Sequence, residues 1–357
     1  MIKTLLGPLT SFASEPGVTD IAVTSDGRVW VDKGCGMTER NLDIGRLSPQ
    51  AVRDFAIQLC ASLGKRLDDA CPIADASSRD GIRVHAVLEP IVPQGASLSI
   101  RLPQHRLNTL EQLEAQGMFP SEWTRLLHRI ISAHQSILIC GGTGAGKTTL
   151  VKALLSVIPH GERVVIVEEI HELEQSLHHN SESLVMRESN VEGVGEITLS
   201  DLVRATVRMR PDRIVLGECR GEEVADLLRA LNSGHRGSIA TLHADSIERV
   251  PSRLCTLGLL AHISVPAMSQ LAAGAFDVVI HIVRSASGRH ISHIGRLCVS
   301  HDGQLYGQRL CSWDGHGAVR KTAQYADWYN SLSNQDSSVQ IDVDSTIEFS
   351  RVEKGDL

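Results

Sequence analysis

At 357 residues the chain is long enough for two domains, each with its own core. Its 35 Lys and Arg against 42 Asp and Glu leave a net charge of −7. That excludes the broad positive field on which non-specific nucleic-acid binding draws, while leaving room for a local basic patch.

The opening segment, MIKTLLGPLTSF, has one Lys and a short apolar run broken by Gly7 and Pro8. It is too short and too interrupted for a secretory signal, so a cytoplasmic protein is expected. Eight cysteines show no C-x-x-C spacing, and Cys60, Cys140 and Cys219 sit inside apolar helix or strand patterns, which fits buried thiols in a reducing compartment. Short strands are predicted at DIAVTS and GRVWVDK, joined by the turn SDG. A helix follows in SPQAVRDFAIQLCASLGKR, with Ser48 as N-cap and Pro49 at the first helical position. Val52, Phe55, Ala56, Leu59, Cys60 and Leu63 repeat at helical spacing until Gly64 stops it. A hairpin from GIRVHAVLEP to ASLSIRLP closes a small α+β domain over residues 1–102. Residues 103–125, with TLEQLEAQGMFP, read as a linker carrying a helix.

Beyond the linker, SILIC, RVVIVEE, RIVLGE, GSIATLH and FDVVIHIV alternate with helical stretches near 147–157, 200–209, 221–232 and 246–257. Continuous Val/Ile/Leu strands interleaved with helices predict an α/β domain over 126–311, its sheet largely parallel and covered on both faces. The apolar window Gly258–Val283 is interrupted by His262, Gln270 and Asp277 and is not read as a membrane span, so any membrane contact would be peripheral. After Cys311 the composition turns to Ser, Asn, Asp and Gln, and 312–357 read as a weakly packed polar appendix.

Chemistry concentrates at four places. GGTGAGKT, Gly141–Thr148, fits G-x-x-x-x-G-K-[ST] between a strand and a helix. Backbone N–H groups of Gly141, Gly142, Thr143, Gly144, Ala145 and Gly146 would face phosphate oxygens; the cofactor set extends through Lys147, Thr148 and Thr149. Lys147 would reach the β- and γ-phosphates of ATP, and the Thr148 hydroxyl would ligate Mg2+. The strand VVIVEE ends in Glu168 and Glu169, with Glu172 three residues on. Adjacent carboxylates at that edge suit the magnesium side of a site, or else mark an acidic helix start.

RIVLGECRG places Gly217 where many phosphate-loop ATPases carry a magnesium-side Asp, and Glu218 one residue later. Glu218 could orient or deprotonate the attacking water, or be a solvated strand-end acid. His243 ends GSIATLH at the same sheet edge and reads as a γ-phosphate sensor or as a structural histidine. His178 and His179 read as solvated loop residues. Arg204 and Arg208, four apart in DLVRATVRMRPDR, would share one helix face, as arginine fingers toward a neighbouring subunit or as partners of Asp201. Arg83 and Arg101 suit a clamp over the phosphates.

The order phosphate loop, acidic strand end, RPDRIVLGECRG, then GHRGSIATLHADS resembles the ATPases of type II and type IV secretion systems and type IV pili, particularly the Tad (tight adherence) pilus-assembly branch. The likeness runs from about Leu5 to Val299 and includes GVTDIAVTSDGRVWVDKG and GASLSIR. It implies a RecA-like ATPase domain behind a smaller N-terminal domain, nucleotide held between the two, and a cytoplasmic homohexamer docked on an inner-membrane platform protein. Such a ring would convert ATP hydrolysis into pilus assembly or secretion. Carried over, Lys147 and Thr148 take the phosphate-loop roles, Glu168, Glu169 and Glu172 the acidic box, Glu218 the catalytic acid and His243 the histidine box; Arg101 matches the arginine ending SIR. The family commonly has Asp where this chain has Glu169, which moves that carboxylate one bond further out. Two other readings stay open at this point: a conjugation-type DNA-transfer ATPase and a phosphate-loop small-molecule kinase.

Overall fold

The structure is a computed structural model that describes residues 5–336 except 79, 104–107, 174–177, 188, 190–193 and 286–287. The chain begins with a one-turn helix α1 (Thr10–Ala13) and strands β1 (Asp20–Val23), β2 (Val29–Asp32) and β3 (Met37–Arg40). Helix α2 (Pro49–Ser62) follows, then β4 (Ile73–Ser77), β5 (Arg83–Leu88) and β6 (Ala96–Arg101). Next come α3 (Leu110–Ala115), α4 (Ser121–Ser132), β7 (Ile137–Cys140) and α5 (Lys147–Leu155). After these lie β8 (Val164–Glu168), β9 (Ser181–Val185), α6 (Leu199–Thr206), β10 (Arg213–Cys219), α7 (Glu223–Asn232) and β11 (Ile239–Leu242). The chain continues through α8 (Val250–Leu260), α9 (Val265–Ala275), β12 (Val278–Ser285), β13 (Gly288–Val299), β14 (Leu305–Ser312), β15 (Arg320–Lys321) and α10 (Tyr325–Asp336). Contacts divide it into two units, the first comprising Met1–Asn108, Val164–Met209 and Leu216–Glu218, the second Thr109–Arg163, Arg210–Val215 and Cys219–Leu357.

In the first unit, six strands form an antiparallel sheet in the order β3-β2-β1-β6-β5-β4. Alternation along β1, β2, β5 and β6 turns Ile21, Val23, Val29, Val31, Val84, Leu98 and Ile100 into one core, which α2 joins through Val52, Ala56, Leu59 and Cys60. Ser48 caps α2 as expected, its hydroxyl accepting the Ala51 N–H at 3.2 Å, and Gly64 at φ +77° ends the helix. In the same unit β8, buried at every position, pairs in parallel with β9. Helix α6 opens on a capping box between Thr198 and Asp201.

The second unit runs β15-β14-β13-β12-β7-β11. The expected parallel sheet holds for β7, paired in parallel to β11 and to β12. From β12 to β15 the pairing is antiparallel, because the short β12–β13 connection cannot make a crossover.

Two stretches differ from the sequence expectation. Within 103–125, Leu110, Leu113, Met118, Phe119 and Trp123 are buried, so from Thr109 on the supposed linker belongs to the second unit and contributes to its core. Residues 312–332 pack against it too: Trp328 and Leu332 of α10 are buried, Trp313 meets Trp123 edge to face at 6.4 Å, and Lys321 pairs with Glu122 at 2.7 Å. A few aromatic anchors in a polar stretch suffice to dock it. The remainder of that stretch, 337–357, lies outside the described residues.

Candidate nucleotide site

The phosphate loop is built from the register of the second unit's sheet. Cys140 ends β7 opposite Leu242 of β11 and His281 of β12, so Gly141, His243 and Ile282 emerge side by side. A Cβ at Gly141 would stand 2.4 Å from the Ile282 carbonyl oxygen, a clash that no other residue type avoids. At the far end Gly146, φ +105°, turns the chain into α5. Burial pushes the Cys140 thiol up to about 12, which leaves it an inert filler beneath the loop.

Lys147 is 8% exposed. Its ammonium donates to the carbonyls of Gly141 and Gly142 at 3.0 and 3.1 Å and lies 3.4 Å from His243 Nε2. A buried ammonium needs such acceptors, and since it can only donate, Nε2 accepts and the imidazole proton sits on Nδ1. Thr148 and Thr149 are half-buried in the first turn of α5; Gly142, Thr143 and Gly144 are exposed and Ala145 is buried. The sequence-predicted loop, Lys147 and His243 are thus one cluster.

Two arginines that sequence reasoning missed belong to the same cluster. Arg284 on β12 and Arg289 on β13 stand directly opposite each other in the hairpin. Arg289 Nε donates to the Gly144 carbonyl at 2.8 Å. A Cβ at Gly144 would lie 3.7 Å from Arg284 Nη1, and one at Gly146 3.4 Å from Arg289 Cδ.

In the first unit the acids form a second cluster. Glu168, 3% exposed, accepts the backbone N–H groups of Glu172 and Leu173 on Oε1 at 3.0 and 2.9 Å. Glu172 is bonded by Arg83 of β5, and Glu169 is exposed. Gly217 packs on this group: a Cβ there would come within 3.3 Å of Glu168 Cγ and 3.5 Å of the Val167 carbonyl oxygen. An Asp in that slot would press on Glu168, which accounts for the glycine. Glu218, half-buried, follows on the opposite face of the strand.

The other predicted residues all lie in the first unit. Arg101 is opposite Arg83 in the β5–β6 register and pairs with Asp20 at 3.1 Å, while Arg83 pairs with Glu172. Arg204 lies 3.9 Å from Asp201. It does not share a helix with Arg208: α6 ends at Thr206 and Arg208 sits in the 3-10 turn Val207–Met209. Pro211 disfavours helical backbone at Arg210, which adopts φ +53° and unwinds the chain early. His179 is exposed as read, but His178 is 3% exposed and not solvated, since it leads directly into β9.

A family model described as Type II/IV secretion system protein matches residues 6–326. A putative conjugal transfer protein of Mycobacterium tuberculosis strain H37Rv is 42% identical over 289 residues, covering 79% of this chain and 81% of that protein. The type IV secretion system protein VirB11 of Brucella suis is 28% identical over 320 residues, covering 81% and 88%. Among solved structures, the pilus retraction motor PilT with bound ADP aligns with a TM-score of 0.54 at 19% identity, over 95% of this chain and 89% of that one. The Legionella pneumophila ATPase DotB aligns with 0.55 at 16%, over 92% and 84%. At these identities the structural likeness is one of fold, a RecA-like domain behind a smaller N-terminal α+β domain.

Proposed function

Since the chain belongs to the type II/IV secretion system protein family and is an ATP hydrolase of that kind, we propose that it works as a homohexameric traffic ATPase. On this reading it is cytoplasmic, docks peripherally on an inner-membrane platform protein, and drives pilus assembly or protein secretion. The observation that carries it is the Lys147 ammonium, buried and held by the Gly141 and Gly142 carbonyls beside His243 at the strand-to-helix turn. An ammonium so placed can exchange loop carbonyls for phosphate oxygens without leaving its pocket.

The residues take distinct roles. Gly141 to Gly146 present backbone N–H groups to the phosphates of ATP, and Lys147 neutralises the β- and γ-phosphates. The hydroxyl of Thr148 and the carboxylates of Glu168 and Glu169 are hard oxygen donors suited to Mg2+, whose bound charge would offset that developing on the phosphates. Glu218 takes up or directs the proton of the attacking water. Glu172 fixes the Glu168 turn, His243 senses the terminal phosphate through Lys147, Arg204 and Arg208 serve as arginine fingers toward a neighbouring subunit, and Arg101 is a further phosphate-binding arginine. Among the described residues no helix is long and apolar enough to cross a membrane, which supports peripheral docking. The sequence resemblance to the Tad branch supports pilus assembly as the task.

The test is ATP turnover against protein concentration together with the oligomeric mass, with and without a non-hydrolysable ATP analogue. Turnover should rise as rings form and fall by about 10³-fold in Lys147→Ala. Full activity in a dilute monomer would sink the ring reading. A second reading, a DNA-transfer motor, is favoured by the name of the 42% identical relative. It requires salt-sensitive DNA binding near physiological ionic strength, against which the net charge of −7 argues.

A further inference from the structure

A buried polar cluster lies at the root of the phosphate loop, outside the roles assigned above. His281 is the register partner of Cys140 at the end of the β7–β12 pairing, and Ile282 follows beside Gly141. Across the antiparallel pair His281 faces His293 and Ile282 faces Ile291, so Ser292 is an extra residue, a β-bulge. The Ser292 hydroxyl lies 2.8 Å from His281 Nδ1 and 2.9 Å from His293 Nδ1, and the two rings stack with centroids 5.8 Å apart. His281 and Ser292 are buried and His293 is half-buried.

Donor counting limits what this arrangement can do. A hydroxyl has one proton to give, so with both rings neutral one Nδ1 offers an N–H to Oγ and the other offers a lone pair. A proton added to the accepting ring makes both nitrogens donors. Oγ can accept from both, because its own proton has a second acceptor in the His281 carbonyl at 3.3 Å. Proton uptake therefore turns the hydroxyl from a ring to the peptide that joins His281 to Ile282. The next carbonyl, that of Ile282, packs so closely on the loop that a Cβ at Gly141 would come within 2.4 Å of it.

The charged groups around the rings are Glu248 of the 3-10 turn Ile247–Arg249, Asp245 after β11, Arg309 of β14 and His290 of β13. Arg309 bonds Glu248 and holds its carboxyl at about 2, so that ion pair stays charged in mild acid. Burial keeps the two rings neutral, pushing His281 down and His293 to about 4.

We propose that Ser292, His281 and His293 are positioning residues for the ATP site: with both rings neutral they hold the bulge that sets the root of the phosphate loop, and a proton on the pair releases it and weakens nucleotide binding. The inference rests on the nucleotide reading of the loop. Linkage then requires bound nucleotide to oppose uptake of that proton.

The experiment follows binding of a fluorescent, non-hydrolysable ATP analogue to the full-length protein from about pH 8 to about pH 5, where histidines change charge. It compares wild type with Ser292→Ala, His281→Gln, His293→Gln and Lys147→Ala, with circular dichroism confirming the fold at each pH. Dividing each affinity by that of the wild type at the same pH removes the titration of the analogue's own phosphates. At the alkaline end Ser292→Ala should bind about tenfold more weakly, as expected for a hydrogen bond lost from a buried site. Toward the acid end the ratio for at least one glutamine variant should climb by about fivefold, a modest coupling between linked sites. Ratios flat with pH in both glutamine variants overturn the proposal, because a merely structural role weakens binding equally at every pH. In the wild type, the ring resonances of His281 and His293 should titrate at lower pH with analogue bound than without; unchanged titration of both also overturns it. If Lys147→Ala loses the analogue while those ratios stay flat, this inference alone has failed; if Lys147→Ala binds like the wild type, the reading of the loop itself has failed.

Discussion

The phosphate-loop cluster and the acidic cluster are assembled in opposite ways. The loop of the second unit is made from main chain: Gly141 and Gly146 shape it, and a buried Lys147 is held by its own carbonyls. The acidic cluster of the first unit is made from side chains, with Glu168 bonded by backbone N–H groups, Glu172 met by Arg83 across a long stretch of sequence, and Gly217 leaving room. Main-chain sites are intolerant of change at the glycines that shape them, such as Gly141, but bind any phosphate. Side-chain sites can be tuned one carboxylate at a time, which suits them to chemistry rather than to capture.

That contrast is open to attack at several points. The largest effect should come from Glu218→Gln, which keeps the shape and removes the base: hydrolysis should slow by about 10²–10³-fold while ATP binds nearly as well. Equal turnover in the two proteins would transfer the catalytic role to the Glu168–Glu172 group. In the second unit, Arg213 is 0% exposed and donates to Glu162, to the Gly237 carbonyl at 3.0 Å and to the Ile131 carbonyl at 2.8 Å. Arg213→Ala leaves those acceptors without it and should cost about 3 kcal/mol, seen as a lower urea midpoint.

A smaller effect is expected at Arg83 and Glu172, each partly exposed to water. A double-mutant cycle with Arg83→Ala and Glu172→Gln should give a coupling of only about 1 kcal/mol in stability. A much larger loss of turnover than of stability would show that the pair serves chemistry.

Acid should act on the second unit more gently. Burial, helped by the positive charges of Arg309 and His281, lowers His293 from 6.5 to about 4. The unfolded chain then binds a proton that the folded one refuses, so stability falls as pH drops from about 6.5 to about 4. Burial raises the Glu162 carboxyl, but hydrogen bonds from His134 and Arg213 outweigh it and hold the group at about 2, so its contribution is lost between 4.5 and about 2. Urea midpoints at neutral and mildly acid pH should converge in His293→Gln; an unchanged slope would exclude that histidine as the source.

What could be read in the sequence follows the same division. The loop was legible because a phosphate site made of main chain demands glycines at fixed local spacing, and His243 because strand ends of an α/β sheet gather at one edge. Ser48 and Gly64 announced α2 by cap chemistry alone. Arg284 and Arg289 were invisible: their value depends on the β12–β13 register and on β12 lying beside β7, more than a hundred residues after the loop. The spacing of Arg204 and Arg208 misled because a helix was assumed through a segment that Pro211 cuts short. Burial of Trp123, His178 and Trp328 was likewise hidden, since polar neighbours in sequence say nothing of partners elsewhere in the chain.

Arg213 carries a mechanical consequence as well as an energetic one. It rivets the end of α4, the turn before β8 and the turn into β11 to the root of β10. Hydrogen bonds anchored on a buried guanidinium yield little under strain. A strain applied to any one of these three elements is therefore shared with the others through a single side chain. One buried guanidinium thus does the work of a covalent crosslink among three connections that have no sequence neighbours in common.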